Sequence, residues 1–592
     1  MNVQALQHRM SPWDTYSLAR DQLTIRMRAA RGELEHCTIL YWPRNAPQPI
    51  NTMEMSVVLQ DDLFDYYETT LHFSTAASYI KYCFLLQTKQ GERLYYSSTS
   101  IQPKLPSDGY FEHLYTNAGD VITTPAWAKG IVYYQIFVDR FNRDPKHTPK
   151  RELQNWGAKP DREHYMGGNL KGILGQLDYL EKLGVGCLYL TPIFEADFNH
   201  KYATINYYEV DPDFGTKEDL VALIKECHRR DIRILLDGVF NHCGIDFPPF
   251  KDVLQNQQDS KYTDWFYIKK YPVTISEECY ECVGDYLYMP KLNTSNREVR
   301  QYILDIMKHW LTVGIDGWRL DVADEVDYSV WEYAHVEIKD AFPDALLLGE
   351  SWGDAGKMLS GRQLDTVMNY LFRDAMLGFF AHDTLDATGL AARLGSILSR
   401  YHSVTNHLLY NLLDSHDTPR FLTECEGNID CLKLAVAFQM LYLGCPAVYY
   451  GDEIGILGEN DPDSRRCMPW TKSKWNKPLL DWYRQLIRIR KENIAIQEGA
   501  FYTVLCQGDV YAFARTVPGQ EIYIVFNRSS SAQIVSLPVK TQGEYRELLT
   551  DYVLQTKPFI PENKIDDQEI LNYSGSVKIP LHAMDVKILK HM

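Results

Sequence analysis

Gly314-Ile315-Asp316-Gly317-Trp318-Arg319-Leu320-Asp321-Val322-Ala323-Asp324-Glu325 is the stretch on which the reading of this chain turns. Its middle, Trp318 to Ala323, reads as a short buried strand that runs out into a polar loop. Alternate side chains of a strand share a face, so Arg319 and Asp321 point the same way. Burying charged groups is costly unless they are paired. Taken alone, this pair reads as a structural ion pair. Its meaning changes because matching acidic strand ends occur elsewhere in the chain, in a fixed order.

Working outward, the chain alternates strand and helix from Ile131 onward. Strands are expected at Ile131 to Phe141, Cys187 to Phe194 and Arg233 to Asn241, with helices at Leu170 to Leu183 and Lys217 to Arg230 between them. An insertion, 243–296, has no clear βα unit, and loops of that length inside a compact domain are usually functional. Helix Arg297 to Val313 leads into the opening strand. Leu346 to Trp352, Thr366 to Phe372, Leu408 to Asp414 and Ala447 to Tyr450 complete eight strands. Eight βα units predict an α/β fold, a (β/α)₈ barrel over 123–500 with 243–296 as an inserted domain. Tyr133 and Tyr134 are expected to fill the barrel floor or rim.

Both flanks read as β-sandwiches. Residues 1–122 carry short alternating runs at Asp21 to Arg28, Met53 to Leu59, Phe64 to Phe73 and Tyr79 to Leu86, with Tyr115 to Gly130 as a linker. Residues 501–592 return to strands at Phe501 to Leu505, Val510 to Arg515, Glu521 to Phe526, Val577 to Pro580 and Asp585 to Leu589.

Composition narrows the function. A formal charge of −17 argues against a nucleic-acid partner. The N-terminus lacks the apolar core of a signal peptide, and Leu432 to Tyr450 is interrupted by Lys433, Gln439, Gly444 and Pro446, so no membrane span is expected. The 12 cysteines are scattered, as in a cytoplasmic protein, and the Cys279-x-x-Cys282 pair has no partner at metal-ligand spacing. Aromatic content is high at 13%, which suits sugar binding and large β-rich cores alike.

In a barrel, the C-terminal strand ends converge on one bowl. Strand three ends Asp237-Gly238-Val239-Phe240-Asn241-His242, strand five Gly349-Glu350-Ser351-Trp352, and strand seven Asp414-Ser415-His416-Asp417. Carboxylates gathered there suit a reaction that builds positive charge. Glycoside hydrolysis is one: it needs a carboxylate nucleophile and a carboxylic acid for the leaving oxygen. Asp321 and Glu350, on adjacent strands, are expected close enough for retention of configuration. Arg319 is expected to keep Asp321 ionised, and the negative charge of Asp321 and Asp417 to keep Glu350 protonated.

These motifs resemble the four conserved regions of the α-amylase superfamily: Asp237 to His242, Gly317 to Asp321, Gly349-Glu350 and Ser415-His416-Asp417. Met289-Pro290-Lys291-Leu292-Asn293, Asp324-Glu325, Gly451 to Gly455 and Asp461-Pro462-Asp463 are similar to its neopullulanase, cyclomaltodextrinase and maltogenic amylase branch. The resemblance covers essentially the whole chain and implies roles. Asp321 would be the nucleophile, Glu350 the acid/base and Asp417 the stabiliser. His242, His416 and Arg319 would hold the innermost sugar or the nucleophile, Tyr202 would stack under that sugar, and Glu325 and Trp352 would line the acceptor side. Asp237 and Asn241 would be architectural. The N-terminal domain would pack on a partner's barrel in a homodimer and narrow its cleft.

Two departures stand out. Ala203 and Asn206 replace aspartates beside Tyr202, which is expected to reshape the non-reducing side of the pocket. The branch's calcium loop corresponds to Asn142, Asp144, Gly167 and Asn169, with Lys146 inside it and no carboxylate at 169, so occupancy by calcium stays open. No other cofactor is required. The expectation is a hydrolase of α-1,4 bonds in cyclodextrins, maltooligosaccharides and pullulan, with transglycosylation by the same intermediate. The alternatives are a narrower α-glucosidase and, from another class, a non-catalytic carbohydrate-binding protein on the same fold.

Overall fold

In a computed structural model that describes residues 1–47, 49, 51–559 and 573–592, the opening stretch lies inside an eight-stranded parallel sheet. Its strands are β1 (Tyr133–Ile136), β2 (Cys187–Leu190), β3 (Arg233–Gly238), β4 (Gly317–Leu320), β5 (Leu346–Gly349), β6 (Thr366–Val367), β7 (Tyr410–Leu412) and β8 (Cys445–Tyr449). They run in the order β6-β5-β4-β3-β2-β1-β8-β7. A parallel bridge between Met368 and Tyr410, with Thr366 Oγ1 donating to the Leu408 carbonyl at 2.8 Å, joins β6 to β7 and closes the barrel.

The supporting helices follow from sequence. Helix Arg297–Val313 is capped by the Asn296 side chain and buries Val299, Ile303, Ile306, Met307 and Trp310, one apolar stripe at helical spacing. Gly314, at φ 120°, ends it in a conformation that favours glycine. Gly317 opens β4 where β4 and β5 approach so closely that a Cβ would sit 2.2 Å from the Leu346 carbonyl oxygen. Tyr133 points into the barrel against Tyr410, with ring centroids 4.9 Å apart. Its neighbour Tyr134 points out to the helix layer, where its hydroxyl donates to Glu453 at 2.8 Å.

Several strands are shorter than their sequence pattern. β1 stops at Ile136 because the chain turns into a helical turn, Val138–Phe141, whose Asp139 accepts the Met166 and Gly167 N–H groups. β6 has two residues because the Asn369 side chain caps a helix, Tyr370–Met376. Residues 170–183 form two helices, Leu170–Leu174 and Leu177–Leu183. A hairpin of Phe194–Ala196 with Thr204–Val210 follows β2, where the sequence pattern shows no strand pair.

The N-terminal region forms two antiparallel sheets. The expected strand Met53 to Leu59 is split: Asn51–Glu54 joins one sheet and Ser56–Gln60 the other, with buried Met55 at the crossing. Strand Phe111–Tyr115 and two short helical turns then lead to the barrel. Among the described residues of 500–592, the strands form a six-stranded and a three-stranded sheet. After β3, residues 243–296 fold around helix Pro248–Asn256 and return beside the barrel through a bridge between His242 and Lys291. All 12 cysteines are free thiols. Among the described residues no helix is long and apolar enough to cross a membrane.

Candidate active site

Arg319 organises the bowl at the C-terminal strand ends. Its side chain is fully buried on β4 and faces three carboxyl groups. Nη1 donates to Asp237 at 3.0 and 3.1 Å and to Asp321 at 2.7 Å, and Nη2 lies 2.9 Å from Glu350 Oε2. β4 ends at Leu320, so Asp321 stands just past the strand, and its N–H donates to the Gly238 carbonyl. Asp321 and Glu350 thus share one guanidinium, which fixes them as neighbours.

The backbone after Asp321 is strained. Val322 has φ 44°, a left-handed conformation that a β-branched residue rarely adopts. The twist aims its N–H at Glu350 Oε2, 3.0 Å away. Trp352 donates its indole N–H to the other oxygen, Oε1, at 3.1 Å. Trp352 is half-exposed and lies on Tyr370, with centroids 4.0 Å apart and planes within 11°. Both Glu350 oxygens are therefore held.

Asp417 lines the same cavity. Arg465 donates to its Oδ1 at 3.2 Å, and His416 Nε2 lies 3.2 Å from Oδ2. Gln135 donates to His416 Nδ1 at 2.7 Å, which places the ring proton on Nε2. Burial, reinforced by Arg465 and Arg319, holds His416 well below the usual histidine range, so the ring is neutral. Tyr202 stacks parallel to His416 at 5.5 Å and donates to Asp237 at 3.0 Å. His242 is buried, and among the described residues neither ring nitrogen has a hydrogen-bond partner. Its Nε2 lies 3.9 Å from Asp321 Oδ2. Burial lowers it to about 3, leaving a neutral ring with polar atoms free for an incoming ligand.

Burial pushes the acids the other way. Asp237 rises to about 6 despite Arg319 and the Tyr189 and Tyr202 hydroxyls. Burial also raises Asp321 above the usual carboxylate range; Arg319 opposes this and the Glu350 charge adds to it. The charge of Asp321 therefore depends on Arg319, and protonation silences it from a higher pH than for an exposed aspartate.

These groups line a cavity of about 360 Å³. Asp321, Glu350, Asp417, His242, Tyr202 and Trp352 reach its wall, and Arg162, Tyr286, Tyr288, Asp461 and Arg465 close one end. Arg319, His416 and Asp237 lie just behind it. Glu325 stands at the rim, where its carboxylate accepts from Lys291 at 2.6 Å and Asn241 at 3.2 Å. Neither Ala203 nor Asn206 lines this cavity: Ala203 is buried, and Asn206 pairs with Glu195 across the hairpin. Arg465, Gln135 and Tyr370 are absent from the sequence-derived site. The signal for Arg465 was the adjacent Asp461-Pro462-Asp463 run; the others lie inside apolar strand and helix patterns.

The four calcium candidates do meet, yet their donors are spent on each other. Asn169 Oδ1 accepts from Gly172 and Asp144 N–H groups, the Asn142 carbonyl accepts the Asn169 N–H, and Asn169 Nδ2 donates to the Gly167 carbonyl. Asp144 is their single carboxylate and accepts the Lys146 N–H. Calcium takes 6–8 oxygen ligands, usually with several negative charges. Among the described residues no three acidic, histidine or cysteine side chains gather at a metal site. This donor set does not fit calcium.

Comparison with known proteins places this geometry. Residues 135–499 match the family described as "Alpha amylase, catalytic domain", residues 1–117 its N-terminal ig-like domain and residues 506–591 its C-terminal all-beta domain. The chain is 42% identical to "Neopullulanase 2" of Thermoactinomyces vulgaris over 92% of this chain and 94% of that one. It is 40% identical to "Cyclomaltodextrinase" of Thermoanaerobacter pseudethanolicus over 91% of this chain and 94% of that one. A solved structure of a "Cyclomaltodextrinase" superposes with TM-score 0.90 at 34% identity, covering 100% of both chains.

Proposed function

The chain belongs to the α-amylase family of glycoside hydrolases, and from that premise we propose that it is a cytoplasmic, retaining α-glucan hydrolase acting on cyclodextrins, short maltooligosaccharides and pullulan. The observation that carries this reading is the shared guanidinium, which holds Asp321 and Glu350 side by side on the wall of a cavity that Asp417 also lines.

Each group then has one task. Asp321 attacks the anomeric carbon as Glu350 gives its proton to the glycosidic oxygen. The bond from that oxygen to the anomeric carbon breaks, and the shortened chain leaves with the proton. Glu350, now ionised, takes a proton from water, whose oxygen attacks the same carbon and releases Asp321. Asp417 and the neutral His242 hold hydroxyls of the flattening ring, and the neutral His416 positions Asp417 from behind the wall. A sugar hydroxyl in place of water gives transglycosylation, and the Lys291–Glu325 pair stands at the rim where an acceptor would enter. The test is a time course on β-cyclodextrin, maltotriose, pullulan and starch, with proton NMR of the first product. Rapid ring opening, α-anomeric product and nearly intact starch are expected. β-Anomeric product would rule out Asp321 as nucleophile.

Trp352 holds the Glu350 carboxyl in place through its indole N–H. Trp352→Phe keeps the stack on Tyr370 and removes that donor. kcat on maltotriose is expected to fall by up to about tenfold with KM little changed, because one of the donors that position the acid is lost. An unchanged kcat would leave the indole a packing role only.

The loop of Asn142 to Asn169 closes through its own amides, so we expect no cofactor requirement. Prolonged EDTA followed by gel filtration should leave activity and the unfolding midpoint unchanged within error; recovery of lost activity by calcium would overturn this. A homodimer belongs to the same proposal. Exposed Tyr79 and Leu114 on the paired N-terminal strands Ser78–Thr88 and Phe111–Tyr115 offer it an apolar contact, and light scattering measures it.

A further inference from the structure

On the far side of the hairpin from Tyr202 lies a second cleft, of about 720 Å³, which shares no wall residue with the catalytic cavity. Its volume is within the range of small-molecule sites. Aromatic rings make one wall. Tyr262 meets Trp265 edge-on at 5.1 Å, and Trp265 leans on Tyr302 at 5.4 Å. The Trp265 indole is fixed by its N–H to Glu298 at 3.0 Å. The opposite wall is polar. Glu195 and Asn206 are direct cross-strand partners on the hairpin, so their side chains stand next to each other on one face. Asn206 Oδ1 accepts the Tyr208 N–H at 3.1 Å, which leaves the amide NH₂ to donate. Among the described residues no hydrogen bond or ion pair engages the Glu195 carboxylate, and none engages the Tyr262 or Tyr302 hydroxyls.

We propose that this cleft is a second α-glucan site, separate from the catalytic cavity. A sugar ring offers an apolar face and an edge of hydroxyls, each both donor and acceptor. The cleft offers an aromatic wall and, opposite it, an acceptor in Glu195 beside a donor in Asn206. The carboxamide at 206 matters here: an aspartate would set two acceptors and like charges side by side. Glu195 and Glu298 are set against Lys261 alone, which disfavours an anionic ligand. The choice of ligand rests on the α-glucan reading of the catalytic site.

The test is calorimetric titration of the full-length Asp321→Asn protein, which binds without turnover, with maltotetraose. Two classes of site are expected. Adding Glu195→Gln and Tyr262→Ala should weaken one class roughly five- to tenfold, through loss of one charged acceptor and one ring face, and leave the other unchanged. With Asp321 intact, the same pair of changes should raise KM for maltoheptaose and leave maltotriose turnover as it was. Asn206→Asp is the conservative control: it changes one atom and should weaken the same class alone. A single class of site in all the proteins would overturn the second site and leave the enzymatic reading standing. No binding in any of them would overturn both.

Discussion

Asp321→Asn leaves turnover of β-cyclodextrin and maltotriose reduced by roughly a thousandfold or more, because an amide cannot form the glycosyl-enzyme ester. Binding should change far less. The amide keeps the shape of the carboxylate, and the cavity wall around it is otherwise intact. Glu350→Gln separates the second role. It should be comparably slow on maltotriose and recover strongly on aryl maltosides, whose leaving groups need no proton. Equal losses on both substrates would place Glu350 outside proton transfer. An Asp321→Asn enzyme with a tenth of normal activity would sink the covalent mechanism.

The second large effect falls on Arg319. Arg319→Met conserves length and apolar packing and removes the cation that Asp237, Asp321 and Glu350 share. Buried carboxylates left without it must protonate or admit water. Urea unfolding is expected to show a loss of about 3–5 kcal/mol, the usual result of breaking a buried pair from one side. The sign with pH follows from Asp237 and Asp321, which burial already raises. With the cation gone they rise further, so the acid limb of any residual activity moves to higher pH. The double variant Arg319→Met/Asp237→Asn should regain part of the stability and none of the activity. A single variant as stable as the parent would mean that Arg319 positions the site without supporting the barrel.

The barrel was legible because each βα unit carries its own period, and because the chemistry sits at strand ends that the pattern marks. Asp321, Glu350 and Asp417 are read directly from those ends. What the pattern could not carry is contact across the bowl. Arg319 reads as the partner of Asp321 two residues away and as held by Asp237, yet it also reaches Glu350 past β5. Glu325 reads as a wall residue, and its pairing with Lys291 from the inserted domain draws it to the rim. Asn206 sits four residues from Tyr202 and was read with it; the hairpin sends it to the opposite side. Strands were over-extended wherever a cap ended them early, as Asn369 does after β6, because apolar side chains continue through the turn.

Val322 has a consequence for anyone improving this protein by selection. Its left-handed backbone is a stored cost of order 1–3 kcal/mol. Glycine at that position takes the same conformation without the penalty. A library screened for heat resistance alone will therefore be drawn to residue 322. The winners will have surrendered the stiffness that keeps the 322 amide on Glu350, the sort of trade in which robustness rises as catalysis falls. Screening must read turnover after heating, since survival by itself rewards dismantling the site.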